Sequence, residues 1–243
     1  LSADERKRTE ELIRPILRGR DIKRYGYEWA NLWLIATFPS RHYDIEQYPA
    51  VKNHLLSFGK ERLEQTGKSH IVKGEAIRAR KRTNNKWFET QDSISYWDDF
   101  NKPKIVYIEI MTDNPNEGYE FPSFAYDDIK AIVLNTAYIM VSHSHNIKYV
   151  LGVLNSSLGR YLLKLYVSQL GERQFRMLHQ YIIKVPLPIV EQQVEESFAS
   201  IVSNVIMLGD NVDERKMQES LINHKVYELY ELSKDEIEFI ESL

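Results

Sequence analysis

Lys104-Ile-Val-Tyr-Ile-Glu-Ile110 is the stretch that most strongly predicts a buried strand, because its residues are mainly β-branched, aromatic or otherwise apolar. A second strand is predicted over 31–38, Asn-Leu-Trp-Leu-Ile-Ala-Thr-Phe, which ends at Pro39. One or two shorter strands are predicted over 130–141. Strands and helices do not alternate regularly along the chain, and this order favours an α+β fold with a mixed sheet over a doubly wound parallel sheet.

Amphipathic helices are predicted on both sides of these strands, where apolar residues recur at helical spacing. The predicted helices cover 49–65, 149–166, 191–208 and 213–230, and a short final helix follows Ser233. After Pro188 the pattern is helical throughout. We therefore predict an α+β domain over residues 1–190 and a helical C-terminal segment over residues 191–243.

The composition is that of a globular protein, with 43% hydrophobic and 28% charged residues among 243. The absence of cysteine excludes disulfides, thiolate metal sites and cysteine nucleophiles. No apolar run approaches the roughly 18 residues of a membrane span, and the charged N-terminus does not resemble a signal peptide. We expect a cytoplasmic protein with no membrane partner, and the start at Leu1 suggests a piece of a longer chain.

The net charge of −3 is the sum of two unlike parts. Residues 1–90 contain 19 Lys+Arg against 12 Asp+Glu, whereas residues 91–243 contain 13 against 23. Such asymmetry is typical of a surface that binds a polyanion, although a solvated basic face would give the same counts. The overall acidity is therefore no evidence against a nucleic-acid partner.

Three polar clusters provide candidates for binding nucleic acid, since Lys and Arg neutralise phosphates and Arg, Asn and Gln read base edges. Residues 66–86 combine many cations with Gly and Asn, which predicts a long mobile loop or an irregular hairpin. The others are the turn at 18–25 and residues 173–176, and two histidines at a strand end are a further candidate. The candidate DNA-binding residues are Arg18, Arg20, Lys23, Arg24, Tyr25, Lys68, Lys73, Arg78, Arg80, Lys81, Arg82, Asn84, Asn85, Lys86, His143, His145, Arg173, Gln174 and Arg176.

Some of these residues have a structural interpretation as well. Asp21 lies next to Arg18 and Arg24 in the sequence, so the three would make a buried ion-pair hinge. His143 and His145 would lie on one face of a strand as a metal pair, but no third ligand follows at a suitable spacing.

Motifs for catalysis are absent from the sequence. It lacks G-x-G-x-x-G, the phosphate-binding P-loop, G-x-S-x-G and H-E-x-x-H. Asp98-Asp99 and Asp127-Asp128 would supply carboxylates to a nuclease, yet neither pair has a Glu-x-Lys partner nearby. We therefore predict no catalytic, cofactor-binding or metal-binding residue in this chain.

Pro15-Ile-Leu-Arg-Gly-Arg-Asp-Ile-Lys-Arg-Tyr25 is the first of a series of segments that occur in a familiar order. The later ones are Tyr48-Pro-Ala-Val-Lys-Asn-His-Leu, Trp87-Phe-Glu-Thr-Gln-Asp, Phe100-Asn-Lys-Pro-Lys-Ile-Val-Tyr-Ile-Glu-Ile110, Leu134-Asn-Thr-Ala-Tyr-Ile139, Tyr149-Val-Leu-Gly-Val-Leu-Asn-Ser156, Lys184-Val-Pro-Leu-Pro188 and Val226-Tyr-Glu-Leu-Tyr230. Together they span nearly the whole chain, and they resemble the TaqI-like C-terminal specificity domain. That domain is the target recognition region of N6-adenine DNA methyltransferases and of fused type IIG restriction–modification enzymes.

The resemblance implies that residues 1–190 are a mixed-sheet target recognition domain that binds double-stranded DNA in a sequence-specific manner. In this family a methyltransferase domain precedes the recognition domain, so the chain would be a C-terminal piece that performs no chemistry alone. Its other partner would be that methyltransferase domain of the same parent chain, with an endonuclease domain in fused enzymes. S-adenosylmethionine would bind there, and no cofactor is expected here. The first 90 residues would supply most phosphate contacts.

Three other interpretations remain open. Specificity subunits of type I restriction systems have a similar layout, so the chain would fit a fragment of one. A protein-interaction module would use the apolar stripes of 191–243 to dock a methyltransferase partner. An independent nuclease or methyltransferase is the third alternative, which the missing motifs disfavour.

Overall fold

The structure, a computed structural model, describes residues 2–209 and 211–243 and has the α+β fold that the sequence predicts. Its helices are α1 (Ala3–Leu12), α2 (Pro49–Leu56), α3 (Lys60–Leu63), α4 (Ile147–Asn155), α5 (Ser157–Tyr166), α6 (His179–Ile182), α7 (Gln192–Leu208), α8 (Val212–Leu229) and α9 (Lys234–Glu241). Its strands are β1 (Ile13–Leu17), β2 (Trp33–Ile35), β3 (Ser69–Val72), β4 (Glu75–Arg78), β5 (Lys104–Ile108), β6 (Ile110–Thr112), β7 (Ala125–Asp127), β8 (Ile132–Val133), β9 (Ala137–Met140), β10 (Ser168–Gly171) and β11 (Gln174–Arg176). Within the described ranges, no helix is both long enough and apolar enough to cross a membrane.

The chain divides into two compact units, each built from two stretches of sequence. The first unit contains residues 1–15 and 31–98, and the second contains 16–30 and 99–243. The helical segment 191–243 therefore lies within the second unit. The boundary at residue 190, which the sequence predicts from its change to a helical pattern, stays a prediction.

The first unit is organised around a small apolar core. Its helix α1 begins after Ser2, whose Oγ accepts a hydrogen bond from the Glu5 N–H at 3.1 Å. The chain leaves the helical conformation before Pro15, which disfavours helix for the residue that precedes it, and Ile13–Pro15 then pair antiparallel with β2. The core side chains are Leu12, Ile45, Tyr48, Val51 and Phe88.

The second unit is built on the strand predicted over 104–110, which the structure divides into β5 and β6. The division falls at Glu109, whose N–H donates to the Thr136 carbonyl at 3.0 Å and whose carbonyl accepts from the Met177 N–H at 2.7 Å. β5 is the central strand of the antiparallel sheet β7-β5-β9, with Val106 paired to both neighbours. β6 instead joins β11 in the sheet β10-β11-β6.

The helix predicted over 149–166 is two helices, α4 and α5, and the prediction of a single helix was wrong. Ser156 has an extended backbone between them, and its Oγ caps α5 by accepting from the Gly159 N–H at 2.9 Å. A Cβ at Gly159 would lie 2.1 Å from the Val153 carbonyl oxygen, so the close approach at the break requires glycine. The apolar spacing continues through the break and therefore does not reveal it.

The C-terminal helices complete the main core of the second unit. Phe198 and Val202 of α7 pack on α4 at Gly152, where an added Cβ would lie 2.4 Å from the Phe198 ring. Val226 of α8 is fully buried in the same core. Much of the apolar face of this segment is thus used inside its own unit, which weakens the case for a docking surface along these stripes.

Candidate nucleic-acid interface

Residues 69–78 form a regular β-hairpin. The sequence predicts a long mobile loop or an irregular hairpin over 66–86, so a hairpin is present, but it is regular and covers only part of that range. The antiparallel pairing begins at Ser69 and Arg78 and runs to the turn. The turn residues Lys73 and Gly74 have φ values of 51° and 85°. Positive φ at both central residues is the geometry of a type I′ turn, whose twist matches that of the flanking strands.

The base of this hairpin is held by Arg80. Its guanidinium donates to the backbone carbonyls of Leu63 at 2.7 Å, Trp87 at 2.5 Å and Glu89 at 2.9 Å. Burial lowers the pKa of Arg80. The structure therefore places this candidate DNA contact in an internal clamp, with all three guanidinium nitrogens donating to the protein.

Two amide side chains complete the same clamp. Gln65 is buried, donates to the Glu89 carbonyl at 2.8 Å and accepts from the Thr83 hydroxyl at 2.6 Å. Asn85, another candidate, donates to the carbonyls of Thr90 and Gln91 at 3.0 and 2.9 Å. These bonds explain why residues 79–90 have a defined path although they contain no strand or helix.

The remaining cations of this segment are exposed. They are Lys68, Lys73, Arg78, Lys81, Arg82 and Lys86, and Asn84 is exposed beside them. Lys86 lies over the Phe88 ring at 5.6 Å. In the part of the chain that the structure describes, none of these six cations forms an ion pair. We call these six residues the hairpin cations.

The turn at 18–25 is largely internal to the second unit. Arg18 pairs with Asp21 at 2.6 Å, and Asp21 is only 3% exposed. The hydrogen bond from Arg18 holds the pKa of Asp21 below its usual value. The hinge expected from the sequence is thus present for Arg18 and Asp21, while Arg20 and Lys23 are exposed.

Arg24 has a different partner from the one that the sequence suggests. Its Nη1 donates to the Pro122 carbonyl at 2.8 Å, its Nη2 to the Asn155 carbonyl at 2.5 Å, and its Nε to Glu219 of α8 at 3.2 Å. Tyr25 is 2% exposed and has a positive φ of 68°. Arg24 and Tyr25 therefore lie in the interior of the unit rather than on a surface that reaches DNA.

Two candidate groups remain, residues 173–176 and the pair of histidines, and most of their side chains bind acidic or amide partners. Arg176 pairs with Glu109 at 2.8 Å, and Arg173 donates to the Asn114 side chain at 2.8 Å. Gln174 and His143 are exposed. The Nδ1 atom of His145 lies 2.6 Å from Glu195 of α7.

The carboxylates considered for a nuclease do not form a metal site in the described residues. Asp127 is fully buried and forms an ion pair with Lys104, which is also fully buried. Asp127 accepts further hydrogen bonds from Tyr27 and from the Ala131 N–H, both at 3.1 Å. Within 2–209 and 211–243, no group of three or more His, Asp or Glu side chains is placed to hold a metal ion.

Sequence reasoning missed one conspicuous residue of the hairpin. Ile71 is 82% exposed, although the apolar side chain itself predicts burial. The Lys73-Gly74 turn was the signal that would have located it, because a two-residue turn sets the register and so the face of every residue in the hairpin.

Comparison with known proteins places this chain in a family. The model of the TaqI-like C-terminal specificity domain matches residues 14–187. The chain therefore belongs to the TaqI-like C-terminal specificity domain family, as its series of segments predicts.

Two known proteins are similar to this chain, one in sequence and one in fold. The chain is 22% identical to the Type II methyltransferase M.BstVI of Geobacillus stearothermophilus over 233 residues, which is 95% of this chain and 36% of that protein. It also shares a fold with the Type IIL restriction-modification enzyme MmeI, solved in complex with DNA, with a TM-score of 0.54 and 12% identity. That match covers 100% of this chain and 34% of MmeI. The chain thus spans about a third of the length of both proteins.

Proposed function

We propose that this chain recognises a specific sequence in double-stranded DNA and positions that DNA for a methyltransferase domain elsewhere in the parent protein. The observation that carries the proposal is the set of hairpin cations, which are exposed and have no ion-pair partner among the described residues. Three of the other cations considered as contacts, Arg18, Arg24 and Arg176, have acidic partners. A surface of unneutralised cations favours a polyanion.

The family supports DNA as that polyanion, because the chain belongs to a family of specificity domains. M.BstVI is a methyltransferase and MmeI was solved with DNA. We infer that the parent is an adenine-N6 methyltransferase and that S-adenosylmethionine binds to its catalytic domain, with no cofactor assigned to residues of this chain. In this proposal the chain contributes binding and specificity, and the neighbouring domain contributes the chemistry.

The salt dependence of duplex binding tests the role of the hairpin cations. Each phosphate contact contributes about −0.9 to the slope of log K against log salt concentration. We expect the triple variant Lys68→Ala/Lys73→Ala/Lys81→Ala to bind a random duplex pool more weakly and with a slope smaller by about 1 for each lysine. The measurement is fluorescence anisotropy at several salt concentrations, beginning at low salt.

The matched control is Lys184→Ala/Lys216→Ala/Lys234→Ala, which removes the same charge from exposed lysines of the second unit. It should leave the slope close to that of the unmodified chain. Equal losses in the two triple variants would overturn the assignment to the hairpin. If the unmodified chain binds no duplex at low salt, the proposed function itself is wrong.

A further inference from the structure

The two faces of the β3–β4 hairpin differ in exposure. Directly paired residues of an antiparallel ribbon lie on the same face, so the register places Ser69 with Arg78 and Ile71 with Ala76 on one face. All four side chains are exposed. On the other face, His70, Val72 and Ile77 are half-buried and Glu75, at the turn, is exposed. We call the exposed set, Ser69, Ile71, Ala76 and Arg78, the outer face.

The apolar side chains of the hairpin are therefore not all used for packing. Val72 and Ile77 lie on the half-buried face, which is where packing would place them. Ile71 is 82% exposed on the opposite face, next to Arg78 and Ser69 and close to the hairpin cations in sequence. Single exposed apolar residues are common, but the outer face combines an apolar group, a guanidinium and a hydroxyl on one regular ribbon.

This combination matches what the edges of base pairs offer in the major groove. The groove is about 12 Å wide and admits a two-stranded β-ribbon. It presents the thymine methyl group to apolar side chains, and the O6 and N7 atoms of guanine to arginine. The minor groove offers no methyl group and is about half as wide.

We propose that the outer face enters the major groove of the target DNA, with Ile71 against a thymine methyl group and Arg78 on a guanine. This inference rests on the proposed function and adds which element reads the bases. Lys68 and Lys73 lie on the same ribbon, one before β3 and one in the turn, and neutralise phosphates on either side of the groove. Ile71 and Arg78 are thus specificity-determining residues, whereas these lysines contribute affinity for any sequence.

Base analogues test the proposal at single atoms. A preferred site is first selected from a random duplex pool with the 243-residue chain, and each thymine of that site is then replaced by deoxyuridine, which lacks only the methyl group. We expect one such replacement to weaken binding about fourfold, the value of one buried methyl group. The Ile71→Ala variant should be insensitive to the same replacement. Replacing one guanine by 7-deazaguanine, which lacks the N7 acceptor, should weaken binding of the unmodified chain but not of Arg78→Ala.

Matched controls separate base reading from loss of exposed side chains in general. Ile189, which is 92% exposed, and Arg62, which is exposed on α3, provide the variants Ile189→Ala and Arg62→Ala. Both should retain the responses of the unmodified chain to deoxyuridine and 7-deazaguanine. Circular dichroism of all four variants confirms that each is folded.

The outcomes distinguish this inference from the function on which it rests. If the unmodified chain selects a site but Ile71→Ala and Arg78→Ala keep its full base preference, the outer face is not the reader and the proposed function stands. If inosine in place of guanine, which removes a minor-groove amino group, weakens binding while deoxyuridine has no effect at any position, the groove assignment is wrong. If no duplex binds, both proposals fail.

Discussion

Arg24 shows how the role of a single cation depends on its acceptors. Its guanidinium donates to two backbone carbonyls and to Glu219, and the side chains of Arg24 and Glu219 are 12% and 19% exposed. Removing Arg24 leaves the two carbonyls without their donor in a region with little water, and it leaves Glu219 with Arg215, whose Nε lies 3.6 Å away, as its remaining ion-pair partner. Arg20, four positions earlier, is exposed and has no comparable constraint.

We expect Arg24→Ala to lower the free energy of unfolding by about 3 kcal/mol, as is typical of a broken buried pair. Arg20→Ala should change it by less than about 0.5 kcal/mol. Urea unfolding followed by circular dichroism measures both. Unchanged stability of Arg24→Ala together with lost DNA affinity would show that the residue is a DNA contact after all.

At the scale of the element, the hairpin depends on its turn. Lys73 and Gly74 both adopt positive φ, and an added Cβ at Gly74 meets no atom within 4 Å. A substitution there would therefore act through the backbone alone. The clamp of Arg80 and Gln65 fixes the other end of the hairpin, so the tip is the end that depends on its own turn.

Gly74→Ala is expected to destabilise the hairpin by about 1 to 2 kcal/mol, the cost of a left-handed conformation for an L-residue. Amide hydrogen exchange in β3 and β4 should then become faster by about tenfold. Gly171→Ala, at another exposed hairpin, is the control, because Gly171 does not have a positive φ and its added Cβ meets no atom within 4 Å. Equal effects of the two substitutions would contradict the turn assignment.

At the scale of the whole molecule, the helical segment 191–243 is part of the architecture of the second unit. Phe198, Val202 and Val226 lie in one core with residues of α4. The hypothesis of a docking segment required these side chains for a partner. Because these side chains are buried inside the unit, they stabilise its fold. Each contributes to the free energy of unfolding in proportion to the apolar area that it removes from water.

A pair of valines on α7 tests this arrangement. Val202 is fully buried and Val194 is 40% exposed. Val202→Ala should lower the free energy of unfolding by about 2 kcal/mol, whereas Val194→Ala should have little effect. If both variants unfold at the urea concentration of the unmodified chain, α7 is not part of the folded core.

Residue order alone was sufficient to establish the α+β class, the family and the basic segment 66–86, because apolar periodicity, motif order and local charge are properties of neighbouring residues. It was not sufficient to locate the break at Ser156, since the apolar spacing continues through it. Residue order also does not show which cations form ion pairs in the folded chain and which do not. Arg24 and Glu219 are 195 positions apart, so only the tertiary structure brings them together. The same physical reason applies to Ile71, whose exposure follows from the register of the hairpin and not from its own chemistry.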